Sequence, residues 1–329
     1  MPGTKRLIII HGRATKPSEK EKKRLVRKCL LHGLERVRPA AATRLRRSKV
    51  KYNFIYYGDI NNREIIKRSP DKETELTGRD EKHGGMPCEP AGSYDDDLAT
   101  MFMQMKFDKR AYKKFLKDVK DRRFFDETAS VVSVLAGMVG LSDNVIRKAT
   151  PDMGAYLMSR KVGSEIRERL QRVLKPALKN NEDICLVSHS MGCIVSYDVL
   201  WKFSQMSEYR DVRNSGNRVS LWLTLGNPLG EPGVRDNLYD AHEPEDGMYP
   251  VDIINQWMNI AARDDFVSHD GSMKDDFAEM KDKGLVGNIR DLPEIYTFWR
   301  GTHGVNPHKL YGYLDHPKVA GQIANWMMN

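Results

Sequence analysis

The sequence predicts an α/β protein in which a mostly parallel sheet is flanked by helices. Three observations support this prediction. The chain has 329 residues, of which 40% are hydrophobic. Short apolar runs recur along it, and helix-like segments separate them. Runs that are apolar on both sides are typical of strands in a parallel sheet whose two faces are covered.

Six apolar runs are predicted to be strands: Lys5–Ile10, Val50–Tyr57, Asp183–Val187, Val219–Leu225, Asp252–Ile260 and Glu294–Trp299. Apolar residues at helical spacing predict helices between them. These are Lys16–Leu34, Gly154–Leu178, Gly192–Gln205 and Pro317–Met328. We expect residues 1–60 and 151–329 to form one core and residues 61–150 to be a large insertion.

The insertion has three parts of different character. Asn61–Asp97 is polar and rich in glycine, proline and charge, which predicts a long loop. Tyr112–Arg123 is predicted to be a charged helix. Ser130–Leu141 is apolar, and either packs on the sheet as a buried helix or lines an apolar pocket as part of a cap or lid.

The positive charge is concentrated near the start of the chain. The net charge is +9, and the first 50 residues hold 16 lysines and arginines against 3 glutamates. The segment Lys16–Lys49 is therefore either a solvated helix face followed by a basic loop, which we favour, or a patch for an anionic membrane surface or nucleic acid. No aromatic residues interleave with these charges, which argues against nucleic acid.

Composition also restricts location and cofactors. No stretch has the roughly 18 apolar residues of a membrane-spanning helix, and the run Leu7–Ile10 is shorter than the core of a secretory signal. The four cysteines form no Cys-x-x-Cys pair, so we expect no metal site and a reducing, cytoplasmic location.

The most informative segment is the pentapeptide from Ser188 to Gly192, Ser-His-Ser-Met-Gly. It lies between a predicted buried strand and an amphipathic helix, which is the pattern of a nucleophile elbow with Ser190 at its apex. Small residues are needed two positions before and after the nucleophile, and Ser188 stands where glycine is usual. At the helix N-terminus the Met191 N–H can donate to a developing oxyanion.

This segment resembles the α/β-hydrolase superfamily, in particular its lipase- and esterase-like serine hydrolases. The resemblance covers the strands from Lys5 onward and the C-terminal segment, but not the insertion. It implies an α/β-hydrolase fold with the insertion as a cap. It also implies hydrolysis through an acyl-enzyme that needs no metal or organic cofactor.

The same resemblance assigns further site residues. His11-Gly12-Arg13 follows the first strand, and the backbone N–H of Gly12 or Arg13 would complete the oxyanion hole; a simple turn is the alternative. Asp265, in an Asp-x-Val sequence after the fifth strand, would be the triad acid. Asp264 is the runner-up, and a polar turn with no catalytic role is the other reading.

The predicted base is His308, in the loop between the last strand and the final helix. It resembles the histidine that precedes a Gly-Tyr-Leu stretch in lipase-like proteins. His303 is the main alternative, whereas His316 is expected to cap or pack at the start of the final helix, and Cys193 to be an inert core residue. The chain order serine, aspartate, histidine agrees with the superfamily.

These observations predict a serine hydrolase that cleaves a carboxylic ester or thioester, with a small molecule or a lipid as substrate and an apolar acyl group. Two alternatives belong to other classes. One is a hydrolase-like fold that has lost catalysis and serves as a binding or regulatory module. The other is a protein that binds anionic lipid through its basic N-terminal segment.

Overall fold

The fold is built on one sheet of six parallel strands. The protein is represented by a computed structural model that describes residues 3–13, 16–67, 151–262, 265, 272–295, 297, 299–301, 304–305 and 307–329. The strands are β1 (Lys5–Ile10), β2 (Lys51–Ile55), β3 (Asp183–His189), β4 (Val219–Leu225), β5 (Gln256–Ala262) and β6 (Asn288–Ile295). Their order is β2-β1-β3-β4-β5-β6, and every neighbouring pair is parallel. The predicted α/β class is confirmed.

Helices connect these strands, and one short antiparallel ladder lies apart from the sheet. The described helices are α1 (Glu19–Val37), α2 (Pro39–Arg46), α3 (Gly58–Ile66), α4 (Pro151–Met158), α5 (Arg160–Lys179), α6 (Met191–Gln205), α7 (Arg210–Arg213), α8 (Pro232–Arg235), α9 (Met273–Asp276), α10 (Ala278–Asp282), α11 (Leu310–Asp315) and α12 (Pro317–Met328). The small ladder joins β7 (Arg300–Gly301) to β8 (Gly304–Val305).

Both faces of the sheet are buried. In β1, Ile8 and Ile10 belong to the core formed with α5 and α6, whereas Leu7 and Ile9 belong to the core formed with α1, α2, α11 and α12. This division follows from the alternation of side chains along a strand. It explains why four consecutive residues of β1, Leu7–Ile10, are apolar, since each face packs against helices.

All six strands point the same way, so their carboxyl ends meet at one edge of the sheet. The chain leaves β1 into Gly12, β3 into Ser190, β4 into Gly226 and β5 towards Asp265. Because β1, β3, β4 and β5 are consecutive in the sheet, residues far apart in sequence come together at this edge. The candidate site is built there.

Some predicted bounds agree with the structure and others are wrong. The bounds of β1, β4 and α12 are as predicted. The sixth strand was predicted at Glu294–Trp299 but lies at Asn288–Ile295. It is an edge strand, where one-sided pairing tolerates exposed Arg290 and an internal Pro293, and a search for continuous apolar runs overlooks such a strand.

A predicted helix and a predicted loop also need correction. The single helix predicted over Gly154–Leu178 is divided into α4 and α5, because Ser159 accepts the Val162 N–H and begins a new helix. The long loop is predicted to start at Asn61, but Asn61 lies within α3. The predicted segments Tyr112–Arg123 and Ser130–Leu141 lie outside the described residues.

No helix in the described part of the chain is both long enough and apolar enough to cross a membrane. The same residues contain no group of three or more His, Cys, Asp or Glu side chains arranged to hold a metal ion.

The final helix begins at a buried histidine. His316 is 4% exposed, and its Nδ1 accepts the Lys318 N–H at 3.0 Å, so it caps α12 as the sequence predicts. Burial, and then the charges of Lys318 and Arg36, lower the pKa of His316 from 6.5 to about 3. The side chain is therefore neutral in the folded protein across the physiological range.

We predict that this cap makes stability depend on pH. The folded-state pKa of His316 is lower than its unfolded value, so its contribution is present above pH 6.5 and is lost as the pH falls from 6.5 towards 3. The slope for one such group is at most about 1.4 kcal/mol per pH unit. His316→Asn keeps a capping oxygen that does not titrate, so its unfolding free energy should fall less steeply.

Urea unfolding of both proteins between pH 5 and 6.5 measures this difference, since most carboxylates stay ionised over that interval. Parallel dependences on pH in the two proteins would contradict the assignment.

Candidate active site

Ser190 occupies the sharp turn between β3 and α6. Its φ of 55° and ψ of −130° place a non-glycine residue in a sparsely populated backbone region. The turn is held by hydrogen bonds from the Ser190 N–H to Leu225 O at 3.0 Å and from the Cys193 N–H to Ser190 O at 2.8 Å. Backbone strain of this kind costs about 1–3 kcal/mol and occurs preferentially at functional sites.

The residues on either side of Ser190 explain the requirement for small side chains. A Cβ on Gly192 would lie 2.7 Å from His11 O, so α6 can approach β1 only with glycine there. Ser188, which departs from the usual glycine, is fully buried. Its hydroxyl lies 2.7 Å from Ser196 Oγ and accepts the Trp222 indole N–H at 3.0 Å. The serine is thus accommodated by two buried hydrogen bonds.

Three residues predicted from the sequence form one hydrogen-bonded line. His308 Nε2 lies 2.8 Å from Ser190 Oγ. His308 Nδ1 lies 2.8 Å from Asp265 Oδ2 and 3.0 Å from Asp265 Oδ1. A carboxylate can only accept, so Nδ1 carries the proton and Nε2 is free to accept from the serine hydroxyl. Asp264 and His303, the alternatives, lie outside the described residues.

The hydrogen-bonded line of Ser190, His308 and Asp265 is mostly buried. Ser190 is 2% exposed and Asp265 3% exposed, whereas the His308 side chain keeps 15% of its surface exposed. Hydrogen bonds and charges act more strongly in such surroundings than in water. An imidazole in this position can remove a proton from the serine, and the carboxylate can stabilise the imidazolium that results.

Gly226 fits closely beneath the acid and the base. It has a φ of +52°, and a Cβ at this position would lie 2.8 Å from Asp265 Oδ2 and 3.1 Å from His308 Nδ1. The absence of a side chain at Gly226 makes room for the contact between His308 and Asp265, which the sequence pattern alone does not reveal.

Gly12 forms the opposite wall of the site. A Cβ on Gly12 would lie 2.6 Å from Ser190 Cβ and 3.1 Å from Ser190 Oγ, so its backbone is adjacent to the hydroxyl. Met191, the other predicted oxyanion donor, is the first residue of α6. The Arg13 side chain is held by Asp152 of α4, with an Nε–Oδ1 distance of 3.2 Å. The oxyanion role of these three backbones stays a prediction.

His11 supports the Gly12 wall without titrating. Its ring stacks on Tyr57 at 4.1 Å, its Nε2 accepts the Tyr57 N–H at 3.1 Å, and its Nδ1–H donates to Gly12 O at 2.6 Å. Burial, with a smaller effect of Lys16, lowers the pKa of His11 well below its usual value. A neutral imidazole therefore fixes the backbone next to the serine.

His189 is a site residue that the sequence did not reveal, although it directly precedes Ser190. Its Nε2–H donates to the backbone carbonyl of His308 at 2.7 Å, and its ring lies 4.8 Å from the His308 ring. Its Nδ1 is buried and has no hydrogen-bond partner among the described residues. Burial, and then His308, lower the pKa of His189, so it stays neutral and fastens the loop that carries His308.

Cys193 is the residue that the sequence predicts to be an inert part of the core. It is fully buried on α6, with its thiol 3.9 Å from Leu225 O. Burial raises the pKa of the Cys193 thiol. Since the thiolate is the reactive form, this agrees with the prediction that Cys193 is inert.

Comparison of the chain with protein-family models, curated proteins and solved structures finds no match. The fold and the site define an α/β protein with a Ser–His–Asp line at the carboxyl edge of a parallel sheet. Any conclusion about function therefore depends on this geometry and on the sequence pattern.

We predict that Gly226→Ala destabilises the protein more than Gly216→Ala. Both glycines have positive φ, so both variants should lose about 1–2 kcal/mol from the left-handed backbone. Gly216 has open space around its Cβ position, whereas a Cβ at position 226 would press on Asp265 and His308. That overpacking should add about 1–3 kcal/mol.

The unfolding free energies of both variants, measured by urea denaturation, provide the comparison. Equal losses in the two variants would show that Gly226 does not make room for the acid and the base.

Proposed function

We propose that this protein is a serine hydrolase of the α/β-hydrolase type, which cleaves a carboxylic ester or thioester through an acyl-enzyme. One observation carries the proposal. Ser190, held at a positive φ between β3 and α6, lies 2.8 Å from His308 Nε2, while His308 Nδ1 lies 2.8 Å from Asp265. The resemblance of the Ser188–Gly192 pentapeptide to lipase- and esterase-like proteins supports it independently of these distances.

In the proposed reaction, Ser190 Oγ attacks the carbonyl carbon of the ester as its proton passes to His308 Nε2. Asp265 orients His308 and stabilises the imidazolium. The tetrahedral intermediate collapses, the bond to the alcohol or thiol breaks, and His308 returns the proton to that leaving group. Water then attacks the acyl-enzyme with His308 as base, which releases the acid and restores Ser190.

The developing oxyanion needs donors on the side of Ser190 away from His308. The proposed donors are the N–H of Met191 and that of Gly12 or Arg13. The position of Met191 at the start of a 15-residue helix favours negative charge there. The close approach of Gly12 to Ser190 supports a donor on the β1 side, because a carbonyl bound to Ser190 Oγ would contact that backbone.

Two exposed cations at the end of the basic N-terminal segment lie away from Ser190. Arg47 and Lys49 are exposed between α2 and β2, so they lie at the amino end of β2. Since β1 pairs in parallel with both β2 and β3, that end is opposite to Ser190. Arg36 of the same segment is paired with Asp315 at 3.1 Å. These three residues therefore do not support membrane contact next to Ser190.

Substitution of Ser190 by alanine tests the proposal. Ser190→Ala should lower the hydrolysis of p-nitrophenyl esters by about 1,000-fold or more, because the acyl-enzyme cannot form. It should also abolish covalent labelling by a fluorophosphonate probe. A series of esters with graded acyl chains, assayed on the wild type, reports the preferred acyl length.

Cys193→Ala is the matched control, since it removes a second candidate nucleophile one turn further along α6. It should keep both the esterase activity and the labelling. Full labelling of Ser190→Ala would contradict the proposal. A folded wild-type protein that neither reacts with the probe nor hydrolyses any ester would instead support the non-catalytic binding module.

A further inference from the structure

A fourth side chain extends the hydrogen-bonded line beyond the acid. Tyr313 lies on α11 and is fully buried. Its hydroxyl donates to Asp265 Oδ2 at 2.6 Å and accepts the backbone N–H of Ala262 at 3.1 Å. The phenol therefore connects the last residue of β5 to the carboxylate that follows it.

The hydrogen bond from Tyr313 affects the negative charge and the orientation of the Asp265 carboxylate. Oδ2 of Asp265 accepts from both the Tyr313 hydroxyl and His308 Nδ1–H. Hydrogen bonds to a charged acceptor are shorter and stronger than those between neutral groups, and burial strengthens them further. The Tyr313 hydroxyl oxygen accepts from the Ala262 N–H, so its proton is directed at Asp265. This hydrogen bond restricts rotation of the Asp265 carboxylate.

The chain connectivity places the base and this tyrosine in one unit. His308 and Tyr313 are five residues apart, and α11 begins two residues after His308. Gly226 closes the other side of the carboxylate, where there is no room for a Cβ. Asp265 thus lies between the turn after β4 and α11, and α11 follows the base directly in the chain.

We propose that Tyr313 is a positioning residue that holds the Asp265 carboxylate towards His308 and sets the proton affinity of His308. The inference deepens the proposed hydrolase function, on which it rests. It distinguishes Tyr313 from a core tyrosine, because a core tyrosine would contribute to stability without changing the titration of His308.

Removal of the hydroxyl should change His308 in a defined direction. A carboxylate that loses one donor has a less stabilised negative charge, so it attracts the adjacent imidazolium more strongly. The pKa of His308 should therefore rise in Tyr313→Phe. The substitution leaves the other titratable groups around it unchanged: His189 is neutral beside the His308 ring, and the charges of Lys16 and Lys22 act on His189.

The test compares Tyr313→Phe with Tyr311→Phe. Tyr311 is buried on the same helix, but its hydroxyl accepts from Lys22 rather than donating to Asp265. The pKa of His308 is measured by NMR of ¹⁵N-histidine-labelled full-length protein, with the His308 signal assigned by its absence in His308→Asn. Tyr313→Phe should raise this pKa by about half a unit or more, and Tyr311→Phe should leave it unchanged.

Kinetics on a p-nitrophenyl ester give the second readout. Tyr313→Phe should lower kcat about tenfold or more while KM changes little, and should move the acid limb of the pH–rate profile upwards. In an Asp265→Asn background the same substitution should have almost no further effect on kcat, because Tyr313 acts through that carboxylate.

Two outcomes separate the inference from the proposed function. An unchanged His308 pKa and an unchanged acid limb in Tyr313→Phe would overturn the inference, whatever its stability. A wild type that hydrolyses no ester would overturn the proposed function, while the NMR titration would still decide the role of Tyr313. If Tyr313→Phe fails to fold, 3-fluorotyrosine at position 313 replaces it. Being a stronger donor, it should lower the His308 pKa, and no shift would overturn the inference.

Discussion

The turn between β3 and α6 is the constraint on which the rest of the site depends. Ser190 keeps a φ of 55° because its N–H is bonded to Leu225 O of β4 and because Gly192 lets α6 approach β1. The central position of β3 between β1 and β4 supplies both contacts. Strain of about 1–3 kcal/mol at one residue is thereby balanced by packing across three strands.

Parallel strand order then brings the other groups to the same place. The acid follows β5, the base precedes α11, and the Gly12 wall follows β1, yet all meet around Ser190 because the carboxyl ends of neighbouring strands share one edge. The enclosure limits access to the Ser190 hydroxyl, since Ser190 is only 2% exposed. Burial of this kind keeps water away from the hydrogen-bonded line.

Local sequence signals were sufficient for part of this picture. The apolar runs of β1 and β4 and the proline at the start of α12 predicted their bounds, and the order of Ser190, Asp265 and His308 suggested a triad. Gly226, His189 and Tyr313 were not recognised as site residues, because each acts through a partner 39 to 119 positions away in the chain. Edge strand β6 was misplaced because its pattern is only half apolar.

The most direct test of the central claim is a crystal structure of the protein after reaction with a fluorophosphonate. The account predicts continuous electron density from Ser190 Oγ to phosphorus. It also predicts a phosphoryl oxygen facing the backbone N–H of Met191 and of Gly12 or Arg13, with His308 still bonded to Asp265. Phosphonylation of a different residue, with Ser190 unmodified beside an intact His308, would contradict it.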